Sequence, residues 1–577
     1  MSRKLSISSF FSALLLISAC GPGADDDAAA TRTTATAAPA ANSLNGPFDQ
    51  AGADAAYNIT GELIHEVVAE IASDAYGGRA PGTQGDAMTQ SYLIDQLQAI
   101  GFAPGAREPG PAWRQPFELV SITSAQPAQW TFTADVDVTL EQSDEFIVGS
   151  GVQQPRSSID DAELVFVGYG IEAPEYNWDD FGDTDLSGKV LVILNNDPDW
   201  SDDLFAGKRR LYYGRWTYKY ESAARQGAAG AIIIHTTPSA GYGWGVIQSS
   251  WTGPQFELPA GDEPRLQVSA WLTEDAAREV LSAGGHDLDK LTEQARSRDF
   301  TPVPLGVETS ISFDNTIEQA ESANVLGVLE GSDPELRDEY IIYTAHHDHI
   351  GTDPNLDDPI YNGARDNATG VAMLLAIGRA FAALPTPPKR SIMLAFVGAE
   401  EQGLLGSRHF AYDPPVPPGR LAANINFDSG NIWGPTNDIT YIGMGKSSLD
   451  EVATTVADFY GRIVKPDQFP DRGLFYRSDQ FNLARIGVPA LYVKGGTDFI
   501  GRPDGWGRDK INTYTAEHYH QPSDELTDDW NFDGLVNDAR FGFWAGYLLA
   551  NDPELPSWNA GDEFEAARKA ALAELEP

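Results

Sequence analysis

"TAHHDHIG", residues 344–351, packs three histidines and an aspartate into four consecutive positions of a 577-residue chain that holds nine histidines in all. The stretch closes a continuous apolar run, "EYIIYTAH" (339–346), which reads as a strand buried on both faces. Open α/β sheets bind their ligands beyond the carboxyl ends of their strands, so this cluster stands where such a sheet presents its chemistry. In strand geometry His346 and Asp348 share one face. By the same alternation His347 and His349 point the other way, into a pocket wall or the core.

Outward from this point the pattern repeats. "ANVLGVLEG" (323–331), "RSIMLAFVG" (390–398), "AANINFDSG" (422–430) and "VPALYVKGG" (488–496) read as further strands. "ATGVAMLLAIGRAFAAL" (368–384) and residues 534–550 read as helices. The expected fold is α/β: a mixed central sheet covered by helices on both faces. Polar residues gather after these strands: Asp366 in "ARDNATG" before a helix, Glu400 and Glu401 after 390–398, Asp428 after 421–427, and His518 and His520 in "EHYHQPSDE". Imidazole and carboxylate with no thiol nearby is the donor set of a catalytic zinc site. Two imidazoles and three carboxylates suffice for two metals that share a bridging carboxylate and activate water. Hydrolysis also needs a base, and adjacent Glu400 and Glu401 can divide the roles of base and ligand.

Upstream, Leu63, Ile64, Val67, Val68 and Ile71 have helical spacing. A turn-rich loop, "GGRAPGTQGD" (77–86), precedes a second helix through Tyr92, Leu93, Leu97 and Ile100 that stops at Gly101. Between about 120 and 300 short β-type runs dominate: "AELVFVGYGI" (162–171), "KVLVIL" (189–194) and "GAIIIH" (230–235). His235, at the end of the last, reads as structural.

In order along the chain, "TAHHDHIG", "GARDNATG", "GAEEQGLLGS", "NINFDS" and "YHQPSDE" resemble the metal-site motifs of the co-catalytic di-zinc aminopeptidases, a family of metallo-exopeptidases. The segment 121–300 resembles the protease-associated (PA) domain inserted in many of them, through "VFVGYGIEAPEYNWDD" and "YYGRWTYKYESAARQGAAGAIIIH". The resemblance implies two Zn²⁺ per chain. It implies His346 and Asp428 on the first, Glu401 and His520 on the second, and Asp366 bridging both. It implies Glu400 as general base and Asp348 as the carboxylate that orients His346. Tyr519, which precedes His520, is a candidate to hydrogen-bond the substrate carbonyl, and Tyr476, Arg477 and Asp479 in "FYRSDQF" (475–481) are candidates for the substrate pocket. Arg365 and His347 depart from the usual motif, which bears on substrate preference. The implied activity is release of N-terminal residues from peptides. A carboxypeptidase or dipeptidase of the same superfamily is the alternative, since Arg365, Arg477 and Arg502 are able to grip a substrate carboxylate. A non-catalytic binding protein on the same fold is the second alternative, and it would be marked by lost ligands.

The N-terminus carries separate information. Arg3 and Lys4 precede "LSISSFFSALLLISAC", an apolar stretch too short to span a bilayer as a mature helix. Ile17-Ser18-Ala19-Cys20 resembles a bacterial lipobox, which implies lipidation of Cys20, the chain's one cysteine. The expected organisation is a signal peptide over 1–19, a tether over 20–50 and a catalytic domain in two parts, 51–120 and 301–577. The PA insertion over 121–300 interrupts that domain. The expected location is the periplasm or cell surface, with membrane attachment through Cys20 and the outer membrane favoured. With 84 acidic against 39 basic side chains, the formal net charge of −45 argues against nucleic acid as a partner. "GMGKSS" (443–448) is not a phosphate-binding loop, because the required earlier glycine falls on Thr440. GxSxG and HExxH are absent from the sequence.

Overall fold

A computed structural model describes residues 46–107, 113–201 and 204–575. The signal, most of the tether and Cys20 lie outside them. Two large sheets share one 27-residue strand, Val303–Leu329. Its second half belongs to the sheet that ends in the histidine cluster. There Tyr340–His346 runs parallel to Ser391–Val397 on one side and to Leu421–Phe427 on the other, and Ala490–Gly495 continues the parallel set. The flanks are antiparallel: Val303–Leu329 against Ser391–Val397, and Asp438–Ile442 against Ala490–Gly495. The sheet is thus mixed, as expected, with its parallel strands at the centre.

Ser391–Val397 and Leu421–Phe427 are buried along their whole length, and Tyr340–His346 from Ile341 onward, because both faces are covered. Ile341, Tyr343 and Ala345 of one strand join the core under helices Gly61–Ile71, Thr369–Ala382 and Asp533–Asn551. Ile342 of the same strand joins a smaller core with Phe410 and Leu483 on the other side. Alternation of side chains across the strand produces both contacts. The helix at 61–71 starts where Thr60 accepts a hydrogen bond from the Leu63 N–H, a side-chain N-cap. All five apolar positions read from its spacing are buried.

The first half of the shared strand closes the second sheet, pairing with Arg156–Phe166. Arg156–Phe166, Val190–Leu194, Gly230–His235 and Val268–Thr273 then run parallel in that order. Val190 and Val192 pack into one core, Leu191 and Ile193 into another. The stretch that reads as strand-rich therefore has a hydrophobic core on each face of its own sheet. Among the described residues, no helix is long and apolar enough to cross a membrane.

Helix Asp533–Asn551 lies close against the central sheet. The Tyr343 hydroxyl donates to the Gly542 carbonyl at 2.9 Å, and a Cβ on Gly546 would fall 1.8 Å from that oxygen. Gly546→Ala should therefore cost about 1–3 kcal/mol by overpacking. Adding Tyr343→Phe, which removes the clashing atom, should recover part of the loss. Urea titrations of the four forms of this double-mutant cycle measure both effects.

Candidate metal centre

Five segments meet at the carboxyl end of the central sheet. His346 is the last residue of its strand and is 1% exposed. Its Nε2 lies 3.3 Å from Asp366 Oδ1, 3.8 Å from Asp428 Oδ1 and 3.9 Å from Glu400 Oε2. On the far side of Asp366, His520 Nε2 lies 3.7 Å from Asp366 Oδ2 and 2.8 Å from Glu401 Oε2. Asp366 thus offers one oxygen to each histidine. His346, Asp366 and Asp428 form one group whose ligand atoms lie within 4.8 Å of one another, and Glu400 and Glu401 form a second such group with His346.

The donor set fits zinc: imidazoles and carboxylates converge and no thiol is present. An orphaned atom supports the fit. His520 Nε2 is buried and faces Glu401 at 2.8 Å and Asp366 at 3.7 Å without the angles of a hydrogen bond to either, while its Nδ1 is tied to Ser250 Oγ at 2.9 Å. A metal-binding histidine is held in this way, one ring nitrogen anchored and the other free for the ion.

The charges of the cluster act strongly on one another. Burial raises Glu400, and neighbouring Glu401 and Asp428 add to it, so its carboxyl sits well above the usual range despite His346. Burial acts the same way on Glu401, but His520 and His349 outweigh it and hold Glu401 well below that range. For Asp428, Lys494 and His346 overcome burial and keep it ionised. Burial opposes the charged form of His346, yet Glu400, Asp366 and Asp428 push its pKa well above the ordinary value.

Several sequence expectations change in detail. The strand stops at His346, so alternation does not extend through 347–349. His347 does turn away, to Asp86 Oδ1 at 3.1 Å. His349 does not: its Nδ1 lies 2.6 Å from Glu401 Oε1, and it groups with Asp366 and Glu401 among the candidate ligands. Asp348 meets His346 Nδ1 through its backbone carbonyl at 3.3 Å, with its carboxylate at 3.8 Å. That carboxylate instead accepts the backbone N–H groups of Glu400 and Glu401, at 3.0 and 3.3 Å, and so fixes the turn that carries them. Tyr476 is not at the site. Its hydroxyl donates to Glu563 at 2.6 Å and its ring packs with Phe475 and Phe481, because the short turn Leu474–Tyr476 aims it into that separate core. Asp479 is fully buried, its carboxylate oxygens lack hydrogen-bond partners, and burial raises its pKa to about 7. Tyr519 stacks on His520 with centroids 3.9 Å apart, and Arg477 Nη2 lies 3.5 Å from its hydroxyl. His518 bonds Ser523 at 2.9 Å, away from the cluster. His235 sits among Tyr242, Trp244 and Trp271, the structural role read for it.

Three supporting residues had no signal in the sequence reading. Arg79 donates to the backbone carbonyls of Ile71, His347, Asn362 and Gly363, lashing the histidine loop to the turn before Asp366. Asp524 accepts the backbone N–H groups of Arg365 and Asp366 at 3.1 and 3.0 Å. Ser250, from the strand-rich lobe, anchors His520. Asp524 and Arg79 stand inside quoted motifs, but spacing alone does not reveal their partners, and Ser250 is 270 positions from His520.

The site opens into a groove of about 630 Å³ between the two sheets, lined by Glu400, Glu401, Tyr519 and His520 on one side and by Arg215, Tyr242 and Trp251 on the other. With this geometry, His347→Ala should leave the bound metal per chain at the wild-type value, and His520→Ala should lower it by one equivalent. Plasma mass spectrometry of the purified variants reads both.

Comparison with known proteins agrees with the architecture. The mouse protein Aminopeptidase NAALADL1 is 38% identical over 112 residues, 18% of this chain and 13% of that protein. Leupeptin-inactivating enzyme 1 of Streptomyces exfoliatus is 24% identical over 209 residues, 35% of this chain and 44% of that protein. The chain thus spans less than half the length of these curated relatives. The solved aminopeptidase from Aneurinibacillus sp. strain AM-1 superposes with a TM-score of 0.52 at 18% identity, over 87% of this chain and 97% of that one, which shows a shared fold. Residues 324–539, the segment that supplies the clustered ligand candidates His346, Asp366, Glu400, Glu401, Asp428 and His520, match the profile of Peptidase family M28.

Proposed function

We propose that the protein is a zinc-dependent aminopeptidase that releases N-terminal residues from peptides, with two zinc ions per chain. The observation that carries the reading is the placement of Asp366 between His346 and His520, one carboxylate oxygen toward each. His346 and Asp428 would hold the first ion, Glu401 and His520 the second, and Asp366 would bridge them. His349 steadies Glu401. When bound, the zinc pair polarises the scissile carbonyl and lowers the pKa of water.

The chain's own residues supply the remaining chemistry. Glu400 lines the groove where substrate must lie, beside the ligand candidate Glu401, the place a general base has to occupy. Its carboxylate takes the proton from the attacking water and returns it to the leaving amine. Asp348 holds the Glu400 backbone in place for both transfers. Tyr519, stacked on His520 at the groove wall, is positioned to donate a hydrogen bond to the substrate carbonyl. The surrounding carboxylates favour a substrate that arrives with a free, cationic amine.

The strand-rich lobe, by its resemblance, is a protease-associated domain that forms the opposite wall of the groove. The N-terminal signal, by its resemblance, exports the chain and leaves it anchored through lipid on Cys20, in the outer membrane.

Glu400→Gln should lower kcat by about 10²–10⁴-fold with metal content and melting temperature unchanged; near-normal turnover would sink the mechanism. An N-acetyl block on peptide substrates should abolish cleavage while C-amidation is tolerated, and chelators should stop the reaction. Cys20→Ser should move the protein from the membrane to the soluble fraction of cells expressing the full chain, as read by immunoblot. Unchanged membrane recovery would contradict lipid anchoring there.

A further inference from the structure

A second cavity, of about 140 Å³, adjoins the metal centre at Asp428 and Tyr519. That is close to the size of cavity that accepts a benzene-sized group, so it has room for one substrate side chain or chain end. Its walls carry Arg365, Arg472, Arg477 and Lys494, a concentration of positive charge in a protein whose net charge is −45.

What holds these cations is informative. Arg365 is buried, with its guanidinium 4.0 Å from the Tyr514 ring and 4.7 Å from that of Trp433. Its side chain donates from Nε to the Gly430 carbonyl at 2.9 Å. Arg472 lies over Phe469 and donates to Asn512 and Thr515. Arg477 lies over Tyr242, with Tyr519 at 3.5 Å. Aromatic faces and neutral acceptors thus fix all three arginines, and among the described residues none forms an ion pair with a carboxylate. Lys494 pairs with Asp428, at 3.9 Å, an oxygen assigned to metal. The one other carboxylate of the lining, Asp467, accepts the Phe469 N–H at 2.8 Å. Buried charge without a counter-charge is costly, and rigid, stacked guanidinium groups recognise carboxylates well.

We infer that this cavity binds a carboxylate carried by the substrate, so that the enzyme prefers peptides presenting an acidic group to it. The inference rests on the aminopeptidase reading, under which the group is the side chain of an N-terminal Asp or Glu. The terminal carboxylate of a short peptide has the same chemistry and is the other source.

The test uses the metal-loaded full chain. Hydrolysis of Glu-Leu-amide is compared with Gln-Leu-amide, and of Gln-Leu with Gln-Leu-amide. Binding of L-glutamate and L-glutamine is measured by calorimetry. The expected result is at least tenfold higher kcat/KM for the Glu peptide, and at least tenfold tighter binding of glutamate, both flattened in Arg365→Gln and in Arg477→Gln. Arg472→Gln serves as a third variant if one of these fails a melting check. A preference for Gln-Leu over its amide, lost in the same variants, keeps the carboxylate site but assigns it to the peptide C-terminus and overturns the aminopeptidase reading. Cleavage of all peptides with no preference in either pair, and equal binding of the two amino acids, overturns this inference and leaves the aminopeptidase reading standing. Without any cleavage, that reading fails, and the glutamate-to-glutamine binding ratio alone decides the cavity: tenfold supports it, equality overturns it.

Discussion

The crowding of buried negative charge around two histidines governs the rest of the structure. Asp348, Asp366, Glu400, Glu401 and Asp428 meet at one end of the central sheet within reach of His346 and His520. Carboxylates this close in a low-dielectric interior cannot all ionise without a strong positive partner, and the imidazoles supply only part of one. Bound cations would balance the cluster, and the surrounding hydrogen bonds hold its loops in place. Arg79, Asp348 and Asp524 spend their hydrogen bonds on backbone groups of the loops that carry the ligands, where looser loops would let the like charges part.

Sheet order makes the convergence possible. The strand ending in His346 has the strands leading to Glu400 and to Asp428 as its two neighbours, all parallel. Three loops therefore leave the sheet side by side in the same direction. The Asp366 turn follows from the middle strand, and the His520 segment returns over the top. The strand-rich lobe is joined to this sheet through one continuous strand, and it reaches the site directly: Ser250 fixes His520, and Tyr242 and Arg215 face the groove. The lobe thus shapes both the metal centre and the space above it.

The fold and the principal cluster were legible because they rest on short-range signals. Continuous apolar runs ending in polar residues mark buried parallel strands, and the helix at 61–71 follows its apolar spacing and Thr60 cap. His349 and Tyr476 were misread for local reasons. The strand ends at His346, three residues short of His349, and a single turn at Leu474–Tyr476 redirects a ring by more than sequence spacing reveals. Arg79, Asp524 and Ser250 act on segments far away in sequence, through contacts that only the folded chain brings about. The cationic cavity is the same kind of feature: Arg365, Arg472, Arg477 and Lys494 come from separate segments, and only Arg365 and Arg477 stood out beforehand.

The central claim is that Asp366 bridges a pair of metal ions. Anomalous diffraction at the zinc absorption edge, from crystals of the zinc-loaded protein, tests it directly. The account predicts two peaks about 3.5–4 Å apart, one beside His346 and Asp428 and the other beside Glu401 and His520, with the Asp366 carboxylate between them. A single peak, or a second one bound through His347 and Asp86, would contradict it.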